Sequence, residues 1–93
     1  FHLYVICLDN DLSKISGLNA RDRLYSVMLE ADIGVNIHYM PIHLQPYFRK
    51  LGFAPGDFPV SESYSERALT LPLHPSLTEE QQLKVIKRVK GFF

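Results

Sequence analysis

The chain has 93 residues, 46% of them hydrophobic and 22% charged, which allows one globular domain with a single core and excludes two. Ten basic residues balance ten acidic ones, so the charge disfavours nucleic acid or an anionic membrane as a partner. No apolar run approaches the roughly 20 residues that span a bilayer. The single cysteine, Cys7, lies in an apolar run and predicts a small buried residue in a protein of the reducing cytoplasm.

The first half of the chain predicts a strand, a connection and a helix. Residues 2 to 8 are almost wholly apolar and β-favouring, which is typical of a central strand covered on both faces. Residues 9 to 18 are polar and rich in turn formers, so we expect a solvated connection. Asn19 can cap a helix that runs to about Asp32. The predicted buried stripe of this helix is Leu24, Val27, Met28 and Ala31. The charged residues of its first turn, expected to face water, are Arg21, Asp22 and Arg23.

The segment from Asn36 to Phe48, NIHYMPIHLQPYF, holds the densest group of chemically capable side chains. An alternation of apolar and polar residues after Gly34 predicts a strand, and Pro41 ends it at about Tyr39 because proline lacks the N–H that a ladder needs. Pro46 then opens a short helix. Imidazole, phenol and amide groups at such a corner can bind phosphate, sugar hydroxyls or a metal. They can also simply tie down a loop by hydrogen bonds, and the residues leave both interpretations open.

The second half predicts two further helices and one strand. Pro59 opens a helix of about eight residues. A short strand is predicted from Leu69 to Leu73, and Pro72 indicates that it is an edge strand or that the strand ends there. Thr78 and Gln81 form a capping-box pattern at the start of the last helix. The charged residues of the first of these helices that we expect to face water are Glu62, Glu66 and Arg67. The predicted core side of the last helix is Leu83, Ile86, Val89 and Phe93, flanked by Val85 and Phe92.

These elements amount to three strands with helices on one face, which predicts an α/β two-layer sandwich that occupies residues 1–93 as one domain. The two histidines of HYMPIH lack the paired spacing of a zinc site, so we expect no metal site. The sequence contains no glycine-rich phosphate loop and no nucleophile elbow, which disfavours nucleotide triphosphatase and hydrolase chemistry.

Three motifs, in this order, carry a resemblance to a known family: HYMPIHLQPYF, LTLPLHP and LTEEQ. Over nearly its whole length the chain resembles the C-terminal small domain of the DegT/DnrJ/EryC1/StrS family of pyridoxal-phosphate-dependent sugar aminotransferases. It is most similar to those members that act on keto hexosamine nucleotides for spore-coat polysaccharide or nonulosonic-acid synthesis. The resemblance implies the small domain of a fold-type I aminotransferase, with a small three-stranded sheet. It also implies a larger parent protein, whose own large domain holds pyridoxal phosphate on a lysine.

The same resemblance implies an activity and a set of substrate contacts. The parent enzyme would transfer an amino group, from glutamate, to a keto sugar nucleotide that enters past this segment. The implied substrate-binding residues are His38, Tyr39, His43, Gln45 and Tyr47. His43 follows Pro41 by two residues, so we expect its ring to point off the sheet end into the cleft, whereas His38 could instead be bonded to backbone at the strand end.

No catalytic or cofactor-binding residue is expected in this chain, because none of its lysines matches the family's cofactor motif. Those lysines are Lys14, Lys50, Lys84, Lys87 and Lys90. The chain alone should therefore be catalytically incomplete. One alternative is a free-standing binding or regulatory module that keeps the fold without the chemistry. Another is a domain that serves dimer assembly, since aminotransferases of this fold commonly act as homodimers. A natural gene product of several hundred residues with an upstream lysine motif would favour the enzyme, and a natural product of this length would favour a module.

Overall fold

The computed structural model describes residues 2–9 and 19–93, in which short strands and helices form an α/β arrangement. The strands are β1 (Tyr4–Cys7) and β2 (Ala68–Leu71). The helices are α1 (Ala20–Glu30), α2 (Pro46–Lys50), α3 (Pro59–Arg67) and α4 (Glu79–Phe92), with a short 3₁₀ helix (Ile42–Leu44) just before α2. The connection predicted for residues 9 to 18 lies, from residue 10 onwards, outside the described residues. No helix of the described part of the chain is long and apolar enough to cross a membrane.

Strand β2 lies between β1 and one isolated bridge, and β1 is at the edge of the sheet. The two strands are antiparallel, with Val5 opposite Thr70. On the other side of β2, Asn36 forms a single antiparallel bridge with Thr70, through N–H to O distances of 3.1 and 2.8 Å. The prediction that the first strand is central was therefore wrong. The expected burial of Cys7 was wrong too, because within the described residues β1 has a ladder partner on one side only and Cys7 is exposed.

The predicted third strand is reduced to that one bridge. In an antiparallel ladder through Asn36 and Thr70, the next hydrogen-bonded pair would be Gly34 and Pro72. Pro72 has no N–H to donate, so the ladder cannot extend in this direction. The sheet of the described residues has two strands instead of the three expected, while the α/β class is as predicted.

Helix α1 supplies most of the core, and its sequence explains where it begins. The Asn19 side chain accepts a hydrogen bond from the Asp22 N–H at 2.8 Å, as predicted for a cap. Leu24 and Met28 are fully buried on the side of α1 that meets Leu69 of β2. The rest of the buried hydrophobic cluster is Leu8, Ala20, Ile33, Val35 and Val85.

Helix α4 begins at the predicted capping box of Thr78 and Gln81 but turns a different stripe to the core. Val85 is buried and Val89 and Phe92 are partly buried against the core cluster, which is a stripe at spacings of four and three residues. The three residues wrongly predicted to lead the core side are exposed, namely Leu83, Ile86 and Phe93. The helix carries two apolar stripes, and periodicity alone does not distinguish them.

Two arginines that we expected in water instead tie elements together. Arg21 of α1 donates from Nη1 to the carbonyl oxygens of Ser65 at 2.7 Å and Ala68 at 3.3 Å. Arg67 donates from Nη1 to the Leu8 carbonyl at 3.2 Å. Both side chains are partly buried, and both satisfy carbonyl groups near the ends of α3 and the sheet.

Candidate functional site

The polar corner predicted for residues 36 to 48 borders a cleft between the end of β2 and the start of α4. The cleft has a volume of about 610 Å³, within the range of small-molecule sites. Its polar side chains come from four separate parts of the chain and include His2, Asn36, His38, Thr70, His74 and Lys84. Imidazole, amide, hydroxyl and ammonium groups can all donate hydrogen bonds, and the Asp32 carboxylate that also lines the cleft accepts them. The cleft therefore suits a polar ligand with several oxygen acceptors and a hydroxyl or amino donor.

His38 is held at the edge of this cleft by the middle strand. Its Nδ1 lies 2.9 Å from Oγ1 of Thr70, whose side chain is buried. A hydroxyl can donate or accept, so this bond suits either neutral tautomer of the ring. Within the described residues, no group bonds the other ring nitrogen, Nε2. The suggested bond of His38 to backbone is therefore replaced by a bond to a side chain, and one ring nitrogen stays available.

Most of the side chains that directly follow His38 are exposed to solvent. Tyr39 has 71% of its surface exposed, and its ring meets His38 edge-on at 4.7 Å between centroids. Met40 and Ile42 are also exposed, while Pro41 between them is buried. Neighbouring exposed apolar side chains of this kind are common on surfaces that meet a partner or ligand.

The last two predicted contacts lie at the start of α2 and within it. Gln45 is half-buried at the start of this helix and Tyr47 is exposed within it. Tyr47 packs edge-on against Phe48 at 5.2 Å. As predicted, Pro46 opens the helix. Gly52 follows the end of the helix, with a φ of 105° that favours glycine.

His43 lies away from the cleft that His38 borders. Only 6% of it is exposed, and its Nε2 lies 3.2 Å from Oε2 of Glu62 on α3. The Phe58 ring meets the imidazole edge-on at 4.8 Å. The expectation that His43 points off the sheet end was therefore wrong, because an aromatic ring covers the imidazole and a carboxylate binds it.

Glu62 is the residue of this region that sequence reasoning missed, because it was expected to face water. Its carboxylate accepts the Gly56 N–H at 2.9 Å and the Phe58 N–H at 3.3 Å, in addition to its contact with His43. The Gly56 N–H, followed by His43 and the Phe58 N–H, holds the pKa of Glu62 below its ordinary value of 4.5, against the opposing effect of partial burial. A carboxylate in the first turns of a helix that Pro59 opens was the available signal, since such a side chain can reach back to N–H groups before the helix.

Thr70 was also missed, although it is the one polar residue in the run ALTL. A polar residue between apolar neighbours in a strand either faces water or meets a polar partner. Here Thr70 is buried and its partner is His38. Thr70 therefore contributes backbone hydrogen bonds to the sheet and a side-chain hydrogen bond to the polar corner.

A comparison with models of protein families identifies the family of this chain. Residues 1–90 match the model of the DegT/DnrJ/EryC1/StrS aminotransferase family, so the chain belongs to that family. This confirms the resemblance carried by the three motifs.

The relatives come from different biosynthetic systems. The chain is 34% identical over 91 residues to the spore coat polysaccharide biosynthesis protein SpsC of Bacillus subtilis, and 36% identical over 92 residues to the erythromycin biosynthesis sensory transduction protein EryC1 of Saccharopolyspora erythraea. These alignments cover 97% and 98% of this chain. The chain spans only about a fifth of the length of these relatives, at 23% and 22% respectively.

Solved structures agree on the fold. A putative sugar aminotransferase, Spr1654 of Streptococcus pneumoniae, superposes in its PMP form with a TM-score of 0.85 at 28% identity, over 98% of this chain and 22% of that one. A family aminotransferase from Brucella abortus gives a TM-score of 0.74 at 37% identity, over 97% of this chain and 22% of that one. Spr1654 has also been solved in a PLP form.

The described residues do not fit pyridoxal phosphate. A covalent site needs a lysine shielded from water, with a carboxylate near the ring nitrogen of the cofactor. The lysines that the structure describes, on α2 and α4, are all exposed: Lys50, Lys84, Lys87 and Lys90. Lys84 borders the cleft from the exposed face of α4, where water reaches it. Nor does any group of three or more His, Cys, Asp or Glu in the described ranges have the geometry to hold a metal ion.

Proposed function

We propose that this chain forms the small domain of a pyridoxal-phosphate-dependent aminotransferase that transfers an amino group, from glutamate, to a keto sugar nucleotide in cell-surface or spore-coat polysaccharide synthesis. The observation that carries the proposal is the family match over residues 1–90 combined with an exposed polar corner beside a cleft rich in donors. The relative SpsC is described as a spore coat polysaccharide biosynthesis protein, which supports the choice of product.

Within this proposal, the corner binds the nucleotide sugar. Thr70 sets the orientation of the His38 ring, which leaves Nε2 for an oxygen of the sugar or of the diphosphate. Tyr39 and Tyr47 are exposed and each can present a phenol and a ring face to the ligand. Gln45 is the weaker candidate because it is half-buried at the start of α2. A direct contact by His43 would require its covered ring to be released, so in this proposal His43 holds the corner in place.

The cofactor would be bound by the large domain of the same protein and would carry the amino group between donor and sugar. The residues described in this chain would contribute by binding and orienting the sugar nucleotide beside it. The proposal also includes a homodimer that works in the cytoplasm.

The direct test is to purify the complete gene product that carries this chain and to record the absorbance spectrum of its cofactor. Glutamate should change the spectrum, and a keto sugar nucleotide should reverse that change, since the two substrates act on the same amino carrier in opposite directions. A gene product that takes up no cofactor, or whose spectrum responds to no keto sugar nucleotide of a broad panel, would contradict the proposal and favour a binding or dimerisation module.

A further inference from the structure

The exposed part of the corner lies between two side-chain anchors. At its N-terminal end, the His38 ring is bonded to the Thr70 side chain of β2, and the Asn36 backbone is bonded to the Thr70 backbone. At its C-terminal end, the covered ring of His43 is bonded to Glu62 of α3. Tyr39 and Met40 are exposed between these points. Their position therefore depends on both anchors and not on a strand of their own.

The second anchor matters because backbone bonds do not attach this region to the rest of the protein. The backbone hydrogen bonds made across residues 41 to 53 stay within that range: Leu44 bonds Pro41, Gln45 bonds Ile42, and Phe53 bonds Phe48. The 3₁₀ helix and α2 pack chiefly on each other. Side chains must therefore fix this region against α3, and His43 is the one in the 3₁₀ helix that is buried.

Glu62 connects this region with the loop that precedes α3. Its two oxygens accept N–H groups of Gly56 and Phe58 from that loop, and Oε2 also meets the imidazole of His43. An ionised carboxylate has about four acceptor sites, which is enough for three donors at once. Gly56 has a φ of 95°, a conformation that favours glycine and that directs its N–H to the carboxylate.

Aromatic packing completes the connection. Phe58 meets His43 at 4.8 Å, Phe53 meets Phe58 at 6.1 Å, and Phe48 of α2 meets Phe53 at 6.2 Å between centroids. The loop thus contacts the 3₁₀ helix at one end and α2 at the other. Two residues of this loop, Phe53 and Phe58, are exposed, so aromatic burial alone fixes the loop weakly. The polar contacts of Glu62 therefore contribute more to holding the loop in place.

We propose that Glu62 is the positioning residue of the corner: by binding His43 and the loop before α3 together, it fixes the 3₁₀ helix and, through it, the place of Tyr39 and Met40. The step from that geometry to sugar binding rests on the proposed function. Glu62 itself touches no substrate in this account.

Amide hydrogen exchange on the complete gene product tests the geometry without any enzyme assay. Glu62→Ala should raise the exchange rates of the Gly56 and Phe58 amides, which lose their acceptor, by roughly three- to tenfold. It should also raise the rate of the Leu44 amide, which bonds Pro41 within the 3₁₀ helix and is not a partner of Glu62. A carboxylate that only capped its own loop would leave Leu44 unchanged, so Leu44 is the deciding probe.

The matched control is Glu66→Ala, an exposed glutamate on the same helix, which should leave all three amides as in the wild type. The Leu24 amide of buried α1 reports global unfolding in the same sample. If Glu62→Ala unfolds the chain, His43→Gln takes its place and should speed exchange at Leu44 while Gly56 stays protected. Unchanged exchange at Leu44 in a folded variant overturns the positioning role.

Kinetics on the complete gene product test the coupling to substrate. Glu62→Ala should raise the KM for the nucleotide sugar by about tenfold and leave the glutamate half-reaction within twofold of the wild type. Faster exchange at Leu44 with an unchanged sugar KM overturns the coupling between Glu62 and the sugar site. A gene product without any sugar aminotransfer is a different result: it refutes the proposed function, while the exchange data still decide whether Glu62 fixes the corner.

Discussion

Replacing Thr70 by valine should release His38 and leave the sheet intact. Thr70 is buried in β2, and valine has nearly its shape, so the main change is the loss of the hydroxyl that lies 2.9 Å from His38 Nδ1. A net hydrogen bond contributes about 0.5–1.5 kcal/mol, and the added methyl group offsets part of that loss. We expect a loss of about 1 kcal/mol in the free energy of unfolding, which corresponds to a drop in Tm of roughly 4–8 °C for a domain of this size.

Thr70→Ser is the matched control for this experiment. It keeps the hydroxyl and removes one buried methyl group, which also costs about 1 kcal/mol. The two variants should therefore have similar Tm values in thermal melts followed by circular dichroism, but only Thr70→Val should alter the imidazole environment of His38.

Two readouts separate the variants. In ¹⁵N–¹H spectra of the histidine rings, the His38 Nδ1 signal should shift in Thr70→Val and stay near its wild-type position in Thr70→Ser. In the complete gene product, the KM for the nucleotide sugar should rise by about tenfold, the factor that corresponds to 1.4 kcal/mol, in the valine variant alone. Equal His38 shifts in the two variants, or equal KM values, would refute the claim that the Thr70 hydroxyl holds this ring.

Three further outcomes are expected. Gly56→Ala should destabilise the chain by about 1–2 kcal/mol in urea titrations, because Gly56 has a φ of 95°. Gly34→Ala should be near neutral, because a Cβ added there also has no atom within 4 Å and Gly34 has no positive φ. Equal effects of the two substitutions would contradict this expectation. Because folding lowers the pKa of Glu62 from 4.5, the carboxylate should contribute its full stabilisation above pH 4.5 and lose it as the pH falls through the lower folded pKa. Glu62→Gln should lose that part of the acid sensitivity. An acid-unfolding midpoint that is the same in Glu62→Gln as in the wild type would count against this role of Glu62. Borohydride reduction of the 93-residue chain with pyridoxal phosphate should give no stoichiometric adduct on a single lysine by mass spectrometry. Such an adduct on Lys50, Lys84, Lys87 or Lys90 would disprove the absence of a cofactor site among the described residues.

Helix boundaries were predictable because their signals are local. Asn19 and Thr78 each bond an N–H three residues ahead, and Pro46 and Pro59 stand at the first positions of their helices. These interactions depend on a few neighbouring residues, so the sequence alone contains them.

Burial was less predictable, because it depends on which elements meet. The strand β1 is apolar enough for a central position, yet in the described structure it is an edge, and Cys7 is exposed. Helix α4 offers two apolar stripes, and the contact with α1 selects the one that contains Val85. An apolar strand can lie at the centre or at the edge of a sheet, and either apolar stripe of α4 can face the core, so composition does not decide between them.

The sequence predicted the segment that forms the polar corner, but not the side chains that hold it in place. Tyr39, Met40 and Ile42 are exposed in this segment while Pro41 and His43 are buried. The partners that hold the segment lie 19 residues away for His43 and 32 residues away for His38. Both partners, Glu62 and Thr70, belong to residue types that usually face water. Nothing local indicates that a particular glutamate will meet a particular histidine, so pairs of this kind emerge only from the three-dimensional arrangement.

We propose that the His38 corner binds the sugar substrate of an aminotransferase, and comparing the two half-reactions is the sharpest test of this role. In the complete gene product, His38→Ala should lower kcat/KM for the nucleotide sugar by roughly ten- to a hundredfold, as expected for loss of a hydrogen bond to a charged group. The glutamate half-reaction should stay within about twofold, with Tm recorded for both proteins. An unchanged sugar half-reaction, or equal slowing of both half-reactions at unchanged Tm, would contradict the account.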